Sequence, residues 1–134
     1  MKKKYFELLG LVMSINNSIG ESKTIGQKKL VKIGELLKPY IDEYNDKRDW
    51  ILLSNAMVDN DKCIILDEKG GYKFTAETTL KRDKELLALY NSEFDFKPIQ
   101  INNPVDLQQY WFISKWVTGM EFPDMPTEEE EIEL

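Results

Sequence analysis

At 134 residues, 42% of them apolar and 31% charged, the chain has enough material to bury one globular core, and it contains no run near the roughly 18 apolar residues that a membrane span requires. It has no histidine, which removes the commonest general base, neutral metal ligand and triad partner, and its lone cysteine, Cys63, excludes an intrachain disulfide and fits a reducing compartment. The net charge of −6 is confined to one end: Asp124, Glu128, Glu129, Glu130, Glu131 and Glu133 all follow Pro123, and the 18 acids of residues 1–122 match the 18 Lys and Arg.

The chain opens Met1-Lys2-Lys3-Lys4 before an apolar run, as secretory leaders do. Glu7, Gly10, Asn16 and Asn17 interrupt that run and no small-residue cleavage site follows, so the expectation is a cytosolic protein. Tyr5, Leu8, Leu9, Val12, Ile15 and Ile19 repeat at helical spacing, which predicts a first helix over about 5–19 with Gly20 at its C-terminal cap.

A second, much longer element is predicted between Ser22 and Ala56, capped by Ser22 or Thr24. Leu30, Ile33, Leu37, Tyr40, Tyr44 and Ile51 form its apolar face, and Glu35, Asp42, Asp46 and Asp49 its opposite one. Pro39 deletes the hydrogen bond to the carbonyl of Glu35, so the expectation is a kinked helix or two abutting ones.

Turn chemistry at Asp59-Asn60-Asp61 is followed by Cys63-Ile64-Ile65-Leu66, then Asp67-Glu68-Lys69-Gly70-Gly71 and Tyr72-Lys73-Phe74. These segments predict a β-hairpin whose glycines take positive φ. Thr75 caps a third helix over about 76–91 with the apolar stripe Leu80, Leu87 and Tyr90, beside Leu86. The stretch from Phe94 to Ile101 alternates as a strand shifted in phase at Lys97-Pro98, and the proline places it at an edge or at a bulge. Asn103-Pro104 predicts the start of a fourth helix that stops at Gly119, and residues 123–134 read as an acidic, disordered tail. No internal repeat is visible.

This order of parts resembles a family of small proteins from tailed bacteriophages of Gram-positive bacteria, a family without an assigned function. The resemblance rests on the amphipathic first helix and on the lysine-rich start (Lys23, Lys28, Lys29, Lys32) of a long helix that is acidic in its second half. It rests further on Asp67-Glu68-Lys69-Gly70-Gly71-Tyr72-Lys73-Phe74 leading into a helix with Lys84-Glu85-Leu86, on Phe94-Asp95-Phe96 and on a short final helix. The chain departs from the family layout at Leu30-Val31, where a proline usually follows the leucine, and at Pro39. The resemblance implies phage origin, a place in the host cytoplasm or the virion, and a non-enzymatic role in particle assembly; it assigns no catalytic residue.

The residues themselves offer few sites of chemistry. Asp59-Asn60-Asp61 opens like a calcium loop, but Ile64 and Gly70 stand where glycine and glutamate are needed. Gly70-Gly71 lacks the lysine and hydroxyl of a phosphate loop. No metal or cofactor is expected, and a carboxylate hydrolase has no pair to recommend it. The stripe Glu35, Asp42, Asp46 and Asp49 reads either as a solvated face, partly balanced by Lys38, or as a surface for a divalent cation or for a basic partner to which it imitates nucleic acid. The lysines that start the long helix oppose its dipole and belong to a neutral body, which disfavours nucleic acid as a ligand. In Tyr110–Val117, Phe112, Ile113 and Trp116 point away from the face shared by Leu107, Tyr110, Trp111 and Val117. The segment is therefore clamped on several sides, or Phe112 and Trp116 meet another chain, including a second copy.

The reading is a single α+β domain over residues 1–122, with four helices and a small antiparallel sheet built from the hairpin and the Phe94–Ile101 strand. Its partner is expected to be a protein; the candidate contact residues are Phe112, Trp116, Glu35, Asp42, Asp46 and Asp49. The alternatives are an acidic inhibitor of a host protein and a metal-dependent hydrolase.

Overall fold

A computed structural model describes residues 1–20 and 24–122. The tail at 123–134 and Ser22 lie outside the described residues. The elements run β1 (Lys2–Lys4), α1 (Tyr5–Ser18), α2 (Ile25–Asn55), α3 (Ala76–Tyr90), β2 (Glu93–Asp95), β3 (Ile99–Gln100), a 3-10 turn (Trp111–Ile113) and β4 (Val117–Thr118). The α+β class holds, with three α-helices in place of four.

The three helices form where caps and periodicity place them. Thr24 accepts a hydrogen bond from the Gln27 backbone N–H at 3.2 Å at the start of α2. Helix α2 then continues for 31 residues through Pro39. Both Pro39 and Glu35 are exposed, so the carbonyl that the proline leaves without an amide can be hydrated. Thr75 and Thr78 close a reciprocal capping box at the start of α3.

The sheet differs from the expected one. The two short antiparallel strands are β1 and β2, whose ladder is continued by Tyr5 N–H to Ser92 O at 3.2 Å and by mutual 2.8 Å bonds between Met1 and Phe96. Strand β3 pairs in parallel with β4, Ile99 opposite Val117 and Gln100 opposite Thr118. The hairpin segment contributes to neither pair.

The fourth helix is replaced by a succession of tight turns. Leu107, Tyr110, Ile113, Ser114 and Trp116 each donate to the carbonyl three residues earlier. Two physical causes stop an α-helix here. Asp106 adopts φ +71, which ends any helix begun at Pro104, and the run Tyr110 to Thr118 is dense in aromatic and β-branched side chains that lose rotamer freedom in a helix. Gly119 follows at φ +90, where a Cβ would collide with the carbonyl of Ile101.

Residues 57–75 hold the one regular pattern that the sequence reading lacked. Asp59 N–H donates to Cys63 O and Lys62 N–H to Asp59 O, while Asp59 Oδ1 accepts from the backbone N–H groups of Asp61 and Cys63 at 2.9 Å each. Eight residues later the same bonds recur: Asp67 N–H to Gly71 O, Gly70 N–H to Asp67 O, and Asp67 Oδ1 from Lys69 and Gly71 at 2.8 Å. The left-handed residue is Lys62 in the first turn (φ +64) and Gly70 in the second (φ +80), whereas Gly71, expected to share that conformation, does not. Another eight residues on stands Thr75, the cap of α3. Met57, Ile65 and Lys73 close a ring in which Ile65 N–H donates to Met57 O, Lys73 N–H to Ile65 O, and Met57 N–H to Lys73 O. Two β-bridges, Val58 to Ile64 and Leu66 to Tyr72, are all the pairing that this arm makes, so it is a pair of turns and not a stranded hairpin.

The chain packs as two compact units. One comprises Met1, Leu9–Leu37 and, among the described residues, 95–122. Its buried residues are Leu11, Ile15, Leu30, Ile33, Leu37, Phe96, Ile101, Leu107, Ile113, Trp116 and Val117. The other comprises Lys2–Leu8 and Lys38–Phe94, and its centre is Tyr5, stacked on Phe94 with ring centroids 4.7 Å apart and tilted against Tyr44 at 5.2 Å.

Candidate interaction surface

Helix α3 displays the stripe that its sequence would be expected to bury. Leu80 is 74% exposed and Leu87 61%, Tyr90 is also exposed, and Leu89 is the buried residue of the helix. Between α3 and the second half of α2 runs an open groove of about 320 Å³ lined by Tyr44, Arg48, Asp83, Leu86, Leu87 and Tyr90. The Phe6 ring lies 5.6 Å from that of Tyr90. Arg82 holds Asp83 at 2.9 Å and covers the Phe74 ring at 4.5 Å, so the charge beside the groove is tied down.

On the other side of α2, Glu35, Asp42, Asp46 and Asp49 are all exposed, as their periodicity predicts. None of the four has a hydrogen-bond or ion-pair partner among the described residues, and Lys38 makes no bridge to Asp42. The contrast is Glu43. Its carboxylate sits 3.0 Å from Lys47 Nζ and accepts from the Tyr5 hydroxyl at 3.1 Å, while Lys47 donates to the Tyr5 oxygen at 2.9 Å. The Lys47 hydrogen bond, with that of Tyr5, holds the Glu43 carboxyl below the usual carboxylate range; the bond to Tyr5, then that to Glu43, raises the Lys47 ammonium.

The expected aromatic contact residues separate. Trp116 is 5% exposed and meets Phe96 edge-on at 4.9 Å, so it belongs to a core and is not available to a partner without unfolding. Phe112 is half-buried, with its ring 6.0 Å from that of Tyr110. The exposed aromatic of that segment is Trp111.

Sequence reading missed two features. The first is the outward orientation of the α3 stripe, because periodicity marks an apolar face without saying what covers it. The second is Trp50, 69% exposed and four residues beyond Asp46; a helical projection of α2 places it on the acidic face. Of the lysines near the start of α2, Lys29 donates to the carbonyls of Val105 (2.6 Å) and Asn103 (3.4 Å) and so closes the turn there, and Lys23 lies outside the described residues. Among the described residues no group of three or more His, Cys, Asp or Glu is placed to hold a metal ion, and no helix is long and apolar enough to cross a membrane. Comparison with family models, with curated proteins and with solved structures finds no match, so the functional reading rests on geometry and on the layout of the sequence.

Proposed function

We propose that the protein is a non-enzymatic protein-binding module, encoded by a phage and contributing to virion assembly or to the virion itself, in the host cytoplasm or in the particle. The observation that carries the binding role is the groove along α3. Leu80, Leu87 and Tyr90 recur at three- and seven-residue steps, the spacing with which one helix receives another, and they stand in water. Leu87 and Tyr90 also line the groove, with Leu86 beside them, and such side chains are anchors that release water when covered, at about 25 cal/mol for each Å² buried. The phage and assembly part of the reading is supported by the resemblance in layout. The occupant is an amphipathic helix of a phage structural protein or a host protein.

The test is a Leu87→Asp, Tyr90→Ala double variant. Both side chains are exposed, so its far-UV spectrum and melting should match the parent, while its yield of co-purified partner from infected cells should fall at least about tenfold. An undiminished yield would end the groove reading.

A second reading, an acidic inhibitor that imitates nucleic acid before a basic host protein, is favoured by the unpaired row Asp42, Asp46 and Asp49. Neutralising those three and deleting residues 123–134 should then abolish binding, and binding that survives both changes rules it out.

A further inference from the structure

We infer that the solvent face of α2 from Asp42 to Leu53 is a second docking surface, and that its occupant is a basic protein segment bearing apolar side chains. The inference rests on the reading of this protein as a binding module and not on the groove along α3.

Asp42, Asp46, Asp49 and Leu53 follow one another at steps of four, three and four residues, and Trp50 fits between Asp46 and Leu53 at steps of four and three. They therefore share a single stripe, about 16 Å long at 1.5 Å per residue. Trp50 and Leu53 are both exposed on it. An indole with more than two thirds of its surface in water is costly to leave uncovered and is the side chain that most often anchors a contact. Among the described residues no cation pairs with its carboxylates. Lys47 is turned to Glu43 and Tyr5, and Arg48 lines the groove.

Charge decides the occupant. Nucleic acid and anionic lipid would meet three unpaired carboxylates at close range. A second copy docked through a two-fold axis would set this stripe against itself, carboxylate facing carboxylate. A segment carrying Lys or Arg beside Leu or Val satisfies both halves of the surface. Its cations pair with Asp42, Asp46 and Asp49, and a guanidinium or ammonium lies over the Trp50 ring while an apolar neighbour covers Leu53.

The experiment is calorimetric titration of the full chain with a synthetic twelve-residue peptide of alternating arginine and leucine, at low and high salt. Trp50→Ala should weaken the complex about tenfold, the loss typical of an anchor residue. Asp46→Asn with Asp49→Asn should weaken it by a similar factor and flatten its salt dependence. Asp61→Asn with Glu68→Gln removes as much charge elsewhere in the same unit and should change affinity less than about twofold. An affinity indifferent to Trp50, or lowered as much by the Asp61 and Glu68 pair, would overturn the inference, since the attraction would then be bulk charge. So would self-association of the parent chain that Trp50→Ala abolishes in sedimentation, because a second copy would then be the occupant. The Leu87→Asp, Tyr90→Ala variant should retain full peptide affinity, so failure of the groove reading and failure of this one appear in different variants.

Discussion

The turns 59–63 and 67–71 share one hydrogen-bond pattern and differ at its hardest position. Each is closed by an aspartate that accepts two backbone N–H groups, and each requires a left-handed residue fourth in the turn. The second turn has glycine there and the first has lysine. A side chain in the left-handed region costs about 1–2 kcal/mol, so the first turn is held against its own backbone preference by the aspartate and by the ring of bonds among Met57, Ile65 and Lys73. The difference teaches that the aspartate is the shared determinant of the turn and that the glycine is an aid to it.

The largest expected effect comes from breaking what the turns share. Asp59→Ala together with Asp67→Ala deletes four backbone-to-carboxylate bonds, and urea unfolding should show a loss of roughly 2–4 kcal/mol, of which the Asp59 change supplies the larger part because its turn has no glycine to fall back on. If the Asp67 change alone accounts for most of the loss, the ranking of the two turns is reversed. Making the second turn resemble the first is the next step down: Gly70→Lys should cost about 1–2 kcal/mol by the same measurement. The smallest effect comes from making the first resemble the second. Lys62→Gly relieves the strained φ but gives the unfolded chain more freedom, for a net gain of about 0.5–1 kcal/mol, and a loss instead would show that the Lys62 side chain makes a stabilising contact.

The same contrast explains what was legible beforehand. Most signals that act within a few residues are legible in the sequence. The cap at Thr75, the period of α1 and α2, and the turn at Asp67-Gly70 each involve groups close along the chain. The eight-residue recurrence escaped notice because it lies in backbone geometry, and Asn60-Asp61-Lys62 shares no residue with Glu68-Lys69-Gly70. Partners distant in sequence were misassigned. Strand β2 pairs with β1, and β3 with β4, through two or three residues each, too few to leave an alternating pattern that names a neighbour. The final helix was expected from Asn103-Pro104, a start signal that Asp106 cancels three residues later. For the candidate surface, period alone marks both the acidic residues of α2 and the apolar stripe of Leu80 and Leu87, and it does not say what covers that stripe. Trp116, a candidate contact residue because it points away from the face its neighbours share, is core.

The three tryptophans are consequently distinguishable by light. Trp116, sealed against Phe96, should emit at short wavelength and resist any soluble quencher, whereas Trp50 and Trp111 should emit to the red and be quenched. Because Trp50 shares its stripe with Asp46 and Asp49, caesium should quench it relatively more, and iodide relatively less, than they quench Trp111, an asymmetry that reads the local potential at that indole without any ligand at all.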